Sequence, residues 1–248
     1  MRSREWVGLG LLIALALGTA RAGVEVPVSV REPAGVARRG EPASGGIPFK
    51  PAQVKDVADL ILVDAAGKPL PAQFTKLAGY DDGSVQWALV DAVVPELAAN
   101  GTVRYTIRTG SGAAPARPLK IEETDDKVVV DTGVVTFTVN KANFALFDEV
   151  TIGGRKVVTG GSVDLLNCEL AERKVIGEYN RETTAVMPKE GGQAFLCRAG
   201  KPGRVKWEYR GPIRATLRID GDYVGEGGAP LAYTTRITAW AGVRGRPG

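Results

Sequence analysis

Histidine is absent from this 248-residue chain, and its absence limits the chemistry more than any other feature. Without histidine the chain has no Ser-His or Cys-His nucleophile pair, no histidine general base and no histidine metal ligand. The chain also has only two cysteines and no CxxC pair, so a structural zinc site is not expected. The sequence therefore predicts neither a metal site nor another cofactor.

The two cysteines, Cys168 and Cys197, are separated by 29 positions. In an oxidising compartment an even pair of cysteines can close a disulfide. We expect a disulfide between them, and two buried thiols are the alternative.

Long apolar runs are also missing, except near the start of the chain. Residues 6–18 form an uninterrupted apolar run of 13 residues, shorter than the roughly 20 residues that span a bilayer. Arg2 and Arg4 precede this run, and Ala-Arg-Ala at residues 20–22 follows it. Because this order is typical of a signal peptide, we predict cleavage after residue 22 and a secreted or periplasmic protein without stable membrane insertion. An uncleaved anchor or a buried helix is the alternative.

A strong net charge is lacking as well. Loss of residues 1–22 removes three arginines and one glutamate, which lowers the formal charge from +4 to about +2. The remaining basic residues are scattered along the sequence. The charge therefore gives no indication of a nucleic acid or an anionic membrane as partner.

Short runs rich in valine, isoleucine, threonine and aromatic residues fill the rest of the chain, often with polar and apolar residues alternating. This alternation is typical of half-buried strands, whereas helical periodicity is nearly absent after residue 22. Glycine and proline separate the runs where turns are needed. The sequence thus predicts an all-β fold. The predicted strands lie at residues 24–31, 60–63, 85–93, 102–108, 127–130, 134–140, 149–152, 204–210, 214–220 and 232–240.

A stretch of glycine, alanine and proline at residues 109–118 lacks apolar periodicity and is typical of a linker. It predicts a first domain over residues 23–110, a linker at 111–118 and a second domain over 119–248. The polar segment at 178–203, rich in glycine and proline, is predicted to be a long loop.

The segment at residues 80–91 is the most specific local pattern, a turn that leads into an alternating strand. The structural interpretation, which we favour, makes Trp87 a buried core residue behind an Asp-Gly turn. The functional interpretation makes Trp87 an aromatic platform beside three sugar ligands, Asp81, Asp82 and Gln86.

A second pattern, KWEYRGPIR, occupies residues 206–214. Arginine and lysine pair with the carboxylate of an acidic sugar, and an aromatic ring stacks on the pyranose. A tyrosine or lysine can also remove the proton α to a uronate carboxylate in β-elimination. The candidate ligand-binding residues are Lys206, Tyr209 and Arg210. With regular alternation Lys206 and Arg210 lie on one face of the strand and Tyr209 lies on the other. The simpler interpretation, which we favour, is therefore a ladder of cross-strand charge pairs over a buried aromatic face.

Several short motifs are spread over both halves of the chain. In the first half they are RRGEP at residues 38–42, GIPF at 46–49 and DGSVQW at 82–87. In the second half they are DTGVV at 131–135, LFDEV at 146–150, EYRGPIRA at 208–215, YTTRI at 233–237 and AG at 241–242. Together these motifs resemble those of the exo-rhamnogalacturonan lyase-like family of exported bacterial proteins. The resemblance implies an N-terminal RIFT-type β-barrel followed by a partial β-sandwich.

The resemblance also implies a carbohydrate-active protein, because lyase members of this family cleave rhamnogalacturonan by β-elimination. Family members are far longer, with further sandwich strands and an α/α toroid, and their catalytic machinery is expected largely in that additional part. No catalytic residue can be mapped onto this chain. We therefore expect a truncated, non-catalytic N-terminal portion of an exported polysaccharide lyase-like protein, with an acidic polysaccharide as partner. The alternative is a stand-alone secreted carbohydrate-binding or envelope-associated β protein.

Overall fold

A computed structural model describes residues 23–176, 182–225 and 231–243. These residues form β-strands joined by turns, and their one helical element is a short 3-10 turn at Val57–Asp59. The predicted all-β fold is confirmed. The predicted signal peptide lies outside the described residues. Within the described residues, no helix has the length and apolar character needed to cross a membrane.

Seven strands form the first half of the fold. Their bounds are β1 (Glu25–Arg31), β2 (Arg38–Pro48), β3 (Leu60–Val63), β4 (Pro69–Leu70), β5 (Ala72–Gly79), β6 (Val85–Leu97) and β7 (Thr102–Thr109). One sheet has the order β1-β7-β3-β4 and the other β2-β6-β5. Apolar side chains from both sheets meet in one core, which includes Val85, Ala88 and Ile107.

Twelve strands lie in the described part of the second half. Their bounds are β8 (Lys120–Glu123), β9 (Lys127–Asp131), β10 (Val135–Asn140), β11 (Glu149–Ile152), β12 (Arg155–Val158), β13 (Asp164–Cys168), β14 (Leu170–Ile176), β15 (Glu182–Pro188), β16 (Ala194–Ala199), β17 (Arg204–Arg210), β18 (Arg214–Val224) and β19 (Ala232–Trp240). One sheet has the order β12-β11-β10-β9-β8, and a second has the order β13-β16-β18-β17 with β19 also paired to β18. Strands β14 and β15 form a separate hairpin.

The two large sheets of the second half pack face to face. Both sheets contribute side chains to one buried cluster. The first sheet supplies Val128, Val130 and Val139, and the second supplies Leu217 and Ile219. Burial of each such side chain contributes about 1.5 to 3 kcal/mol. The alternate residues of β17, β18 and β19 consequently point away from this core.

The prediction of a long loop at residues 178–203 is wrong for the residues that the structure describes there, because they contain β15 and β16. Strand β15 pairs with β14 along its whole length, from Glu182 opposite Ile176 to Pro188 opposite Leu170. Both strands of this hairpin are largely exposed. The sequence there lacks the alternation of a half-buried strand because neither face of the hairpin packs on the core.

The expected disulfide is absent, since Cys168 and Cys197 are not joined in the structure. In the antiparallel pair β13–β16, Cys197 lies opposite Leu165 and Cys168 lies opposite Ala194. An offset of three residues corresponds to about 10 Å along a strand, whereas a disulfide requires Cα atoms within about 7 Å. The strand register therefore separates the two thiols.

Trp87 is exposed over 43% of its surface, so the prediction that it is buried is wrong. The pairing of β5 with β6 is irregular here, with shifts on both sides of Ala78, which lies opposite Trp87. Val85 and Ala88, which are three positions apart, are both fully buried. Because the irregularity interrupts the two-residue alternation, Trp87 lies on the opposite face of the sheet from the core.

Candidate functional site

The outward-pointing residues of β17, β18 and β19 form a polar and aromatic surface, which we call the outer face. Their placement follows from the register of the two strand pairs around β18. The outer face consists of Arg204, Lys206, Glu208, Tyr209, Arg214, Thr216, Arg218, Asp220, Thr234, Arg236, Thr238 and Trp240. It thus carries five cationic side chains, two carboxylates and two aromatic rings.

Both carboxylates of the outer face are held by arginines. Glu208 accepts a hydrogen bond from Arg236 Nε at 2.8 Å and lies 3.7 Å from Arg218 Nη1. Asp220 accepts from Arg218 Nε at 2.9 Å and from the hydroxyl of Thr234 at 2.7 Å. No carboxylate of the described residues lies within 4.0 Å of the nitrogens of Lys206 or Arg204. The outer face therefore has an excess of positive charge.

The two carboxylates have pKa values below their usual range. For Glu208 the main cause is the hydrogen bond from Arg236, and for Asp220 it is the hydrogen bond from Thr234 followed by that from Arg218. A carboxylate whose folded pKa is depressed stabilises the fold above its unfolded pKa, and this contribution is lost as the pH falls through the folded pKa.

We expect the midpoint of thermal unfolding to decrease as the pH falls below about 4, the unfolded pKa range of Asp and Glu. The variant Glu208→Gln should show a shallower pH dependence, because one of the contributing carboxylates is missing. The control Glu25→Gln changes an exposed glutamate of β1 and should keep the wild-type pH dependence. Identical profiles for wild type and Glu208→Gln between pH 2 and pH 6 contradict this assignment.

The guanidinium of Arg214 contacts both aromatic rings of the outer face. Its central carbon lies 4.5 Å from the centre of the Tyr209 ring and 5.6 Å from that of Trp240. Such cation–π contacts stabilise by about 0.5 to 2 kcal/mol each, depending on desolvation. Arg214 therefore fixes the position of both rings relative to the neighbouring cations.

Arg214 also connects the outer face to the first half of the chain. Its Nη1 atom donates to Asp91 Oδ1 at 3.0 Å and to the hydroxyl of Ser44 at 3.2 Å. Asp91 is completely buried, and its second oxygen Oδ2 has no hydrogen-bond partner among the described residues. The charge of Asp91 therefore depends on Arg214 for compensation.

Gln73 of β5 forms a second connection between the halves. Its side-chain oxygen accepts from the backbone N–H groups of Ile213 and Arg214 at 3.1 and 3.0 Å, and its amide nitrogen donates to the carbonyl of Arg214 at 3.1 Å. Together with the Arg214–Asp91 pair, these bonds form what we call the domain junction. The outer face is thereby anchored next to the β2-β6-β5 sheet.

The structure brings two of the three predicted ligand-binding residues, Lys206 and Tyr209, together on the outer face. Arg210 lies on the other side of β17. The register of β17 and β18 shifts between Trp207 and Tyr209, so that Glu208 is an extra residue in the strand. A bulge of this kind reverses the alternation that follows it.

Arg210 belongs to a closed cluster on the opposite side of β17 from the outer face. Its Nη1 atom lies 3.2 Å from Glu123 Oε2, which also accepts from the indole N–H of Trp207 at 2.8 Å. Lys141 donates to the other oxygen of Glu123 at 2.7 Å. Hydrogen bonds from Lys141 and Trp207 hold the pKa of Glu123 below its usual range. Glu123 thus pairs with both Arg210 and Lys141 and holds Arg210 away from the outer face.

The carboxylates of the first half that the sequence offers as sugar ligands lie in the turn before β6. Asp82 accepts hydrogen bonds from the hydroxyl and the backbone N–H of Ser84, which lower its pKa and close the turn. Asp81 is exposed in the same turn. Within the described ranges, no group of three or more residues is arranged to hold a metal ion.

Arg214 and Trp240 also belong to the site, although neither is among the ligand-binding residues predicted from the sequence. Arg214 closes the KWEYRGPIR pattern, and Trp240 ends the last predicted strand, so both were visible as residues. Their meeting depends on the pairing of Arg214 with Trp240 across β18 and β19. The contact with Asp91 joins positions 123 residues apart, for which the sequence carries no local signal.

The two halves define a multidomain β protein, a barrel domain followed by a β-sandwich. The chain belongs to the PcRGLX-like family. The model of the PcRGLX-like N-terminal RIFT barrel domain matches residues 34–108, and that of the PcRGLX-like central beta sandwich domain matches residues 119–245. These matches confirm the suspected family and its combination of folds.

A curated relative is "Uncharacterized protein YetA" of Bacillus subtilis (strain 168), which is 25% identical over 202 residues. The match covers 80% of this chain and 21% of the relative, so the chain spans about a fifth of that protein's length.

Two solved structures show distant similarity. A protein in the Glycosyl Hydrolase Family 38 from Enterococcus faecalis matches with 12% identity and a TM-score of 0.49, over 90% of this chain and 30% of its own. An alpha-mannosidase from Enterococcus faecalis V583 matches with 12% identity and a TM-score of 0.39, over 88% of this chain and 28% of its own. Similarity at this level does not transfer an activity.

Proposed function

We propose that this chain is the amino-terminal, polysaccharide-binding part of an exported lyase-like protein that acts on rhamnogalacturonan or a related pectin. In this proposal the outer face binds the acidic polysaccharide, and the chain by itself does not cleave it. The proposal of export is supported by the signal-peptide pattern at residues 1–22.

The observation that carries the proposal is the combination of excess cations and aromatic rings on one surface. Lys206 and Arg204 are not matched by an ion pair in the described part of the chain, so they are available to the carboxylates of uronate residues. Tyr209 and Trp240 are only half-buried, so part of each ring remains accessible to a sugar. Cations that pair with carboxylates and rings that pack on pyranoses are the groups that an acidic polysaccharide requires.

The chemistry of the outer face favours binding over elimination. β-Elimination needs a base near the α-proton of the uronate and a group that neutralises the carboxylate. The two carboxylates of the outer face, Glu208 and Asp220, are held by arginines and have lowered pKa values, which makes them weak bases. Their position on an open sheet also lacks the enclosed cleft in which catalytic groups from several elements converge.

The test of binding is an isothermal titration of the chain from residue 23 onward with rhamnogalacturonan and polygalacturonate oligosaccharides. We expect binding to both acidic ligands and weaker binding to neutral galactan oligosaccharides. The variant Lys206→Ala should bind the acidic ligands about fivefold more weakly, which corresponds to about 1 kcal/mol for an exposed charge pair. The control Lys156→Ala removes a lysine that pairs with Glu149 in another sheet and should bind like the wild type.

Equal affinity for acidic and neutral ligands, or an unchanged affinity of Lys206→Ala, contradicts the proposed site. The same samples allow elimination to be measured from the ultraviolet absorbance of unsaturated uronyl products. We expect no increase in absorbance. Turnover by the wild type that disappears in Tyr209→Phe or Lys206→Ala would contradict the proposal and indicate that the chain is itself a small lyase.

A further inference from the structure

Trp87 presents its indole ring on the surface of the first half, against the backbone of β2. A Cβ atom at Gly46 would lie 3.7 Å from two carbons of the ring, Cε3 and Cζ3. That distance is an ordinary van der Waals contact, so one side of the indole packs over Gly46. With 43% of its surface exposed, the remainder of the ring is accessible to a ligand.

This ring lies beside the domain junction. In the pairing of β2 with β6, Ser44 lies opposite Asp91, Gly46 opposite Leu89 and Pro48 opposite Trp87. Residues two positions apart in a strand share a face, about 7 Å from each other. Gly46, on which the indole packs, is thus the next residue along this face from Ser44, whose hydroxyl accepts a hydrogen bond from Arg214.

Along β2 the indole therefore lies next to the domain junction, whose Arg214 belongs to the outer face. Arg214 contacts the rings of Tyr209 and Trp240, and its partner Ser44 is two residues from Gly46, on which Trp87 packs. An exposed tryptophan is a large apolar surface that water solvates poorly, and its rigid flat ring suits the C–H faces of a sugar. The residues around the junction supply both this flat surface and the cations of the outer face.

We propose that Trp87 is the stacking platform of a second saccharide subsite, so that a single acidic oligosaccharide extends from the outer face across the domain junction to Trp87. This inference rests on the proposed function, because it extends the binding site of the same ligand. Trp87 is a binding residue in this scheme and has no catalytic role.

The expected consequence is a dependence of affinity on the length of the ligand. Trp87 and Asp91 are four positions apart on β6, which corresponds to about 13 Å along the strand. A short oligosaccharide bound at the outer face does not reach Trp87, whereas a longer one contacts both. Removal of the indole should therefore weaken the binding of long ligands selectively.

The test compares digalacturonate with hexagalacturonate in titrations of wild type, Trp87→Ala and Trp87→Phe. We expect Trp87→Ala to bind hexagalacturonate about tenfold more weakly, the size of a lost aromatic contact, and digalacturonate within twofold of the wild type. Trp87→Phe keeps a flat ring and should retain most of the affinity. The control Ile152→Ala truncates a residue of similar exposure, 47%, on a different sheet and should bind both ligands like the wild type.

Wild-type affinity of Trp87→Ala for hexagalacturonate overturns the second subsite and leaves the proposed function standing. An equal loss for both ligand lengths also overturns it, because the indole then belongs to the first subsite. If wild type binds neither ligand, the proposed function and the second subsite both fail. Circular dichroism and the thermal midpoint, which Trp87→Ala and Trp87→Phe should share with the wild type, show whether a loss of binding reflects a loss of fold.

Discussion

Replacement of Arg214 by alanine is expected to destabilise the chain by about 3 to 5 kcal/mol, the cost of breaking a buried ion pair by removing one partner. The reason is the position of Asp91, which is completely buried and has Arg214 as its ion-pair partner at 3.0 Å. Without the guanidinium, the carboxylate remains in a site that water does not reach. The loss of the cation–π contacts with Tyr209 and Trp240 adds to the effect.

The measurement is the free energy of unfolding from urea titrations of the chain from residue 23 onward. The matched control is Arg39→Ala, which breaks an ion pair with Glu96 between side chains that are 82% and 73% exposed and should change the stability by less than about 1 kcal/mol. The double variant Arg214→Met with Asp91→Leu should be more stable than Arg214→Ala, because no buried charge is left unpaired. Equal effects of Arg214→Ala and Arg39→Ala contradict the structural role assigned to the pair.

Replacement of Gly211 by alanine should destabilise the chain by about 2 to 4 kcal/mol, through the second connection of the domain junction. A Cβ atom at Gly211 would overlap the side-chain amide of Gln73. To avoid the overlap, Gln73 must give up its hydrogen bonds to the backbone of Ile213 and Arg214. Each buried backbone group left without a partner costs about 1 to 3 kcal/mol.

A double-mutant cycle with Gln73→Ala isolates this mechanism. Gln73→Ala removes both the hydrogen bonds and the obstacle, so Gly211→Ala should add less than about 0.5 kcal/mol in that background. The urea midpoint and slope give the four stabilities. If Gly211→Ala destabilises equally in both backgrounds, the overlap with Gln73 is not the cause.

The strands with regular alternation were predictable from the sequence. Residues 102–108, 134–140, 214–220 and 232–240 were assigned to strands, and the structure has β7, β10, β18 and β19 there. In these strands one face packs on a core and the other does not. Apolar and polar residues therefore alternate along the sequence in the same order as buried and exposed positions. Strand β2 and the hairpin β14–β15 were missed, because glycine and proline interrupt the first and both faces of the second are largely exposed.

The composition of the candidate site was harder to predict because it depends on irregular pairing. The shift in β17 brings Tyr209 to the face of Lys206 and moves Arg210 away from it, and the shifts between β5 and β6 turn Trp87 outward. Single extra residues of this kind leave no periodic signal in the sequence. The domain junction could not be predicted from the sequence either, because Gln73 and Asp91 contact Arg214 only when both halves are folded.

The central claim, that an acidic polysaccharide binds to the outer face, can be tested most directly through the indole N–H signals of tryptophan in a nitrogen–proton correlation spectrum. From residue 23 onward the chain has three tryptophans, Trp87, Trp207 and Trp240, and Trp→Phe variants assign their signals. Titration with hexagalacturonate should shift the signal of Trp240. The signal of Trp207, whose N–H donates to Glu123 on the other side of β17, should stay in place. A shift of Trp207 with an unchanged Trp240, or no shift of either signal at saturating ligand, would contradict the claim.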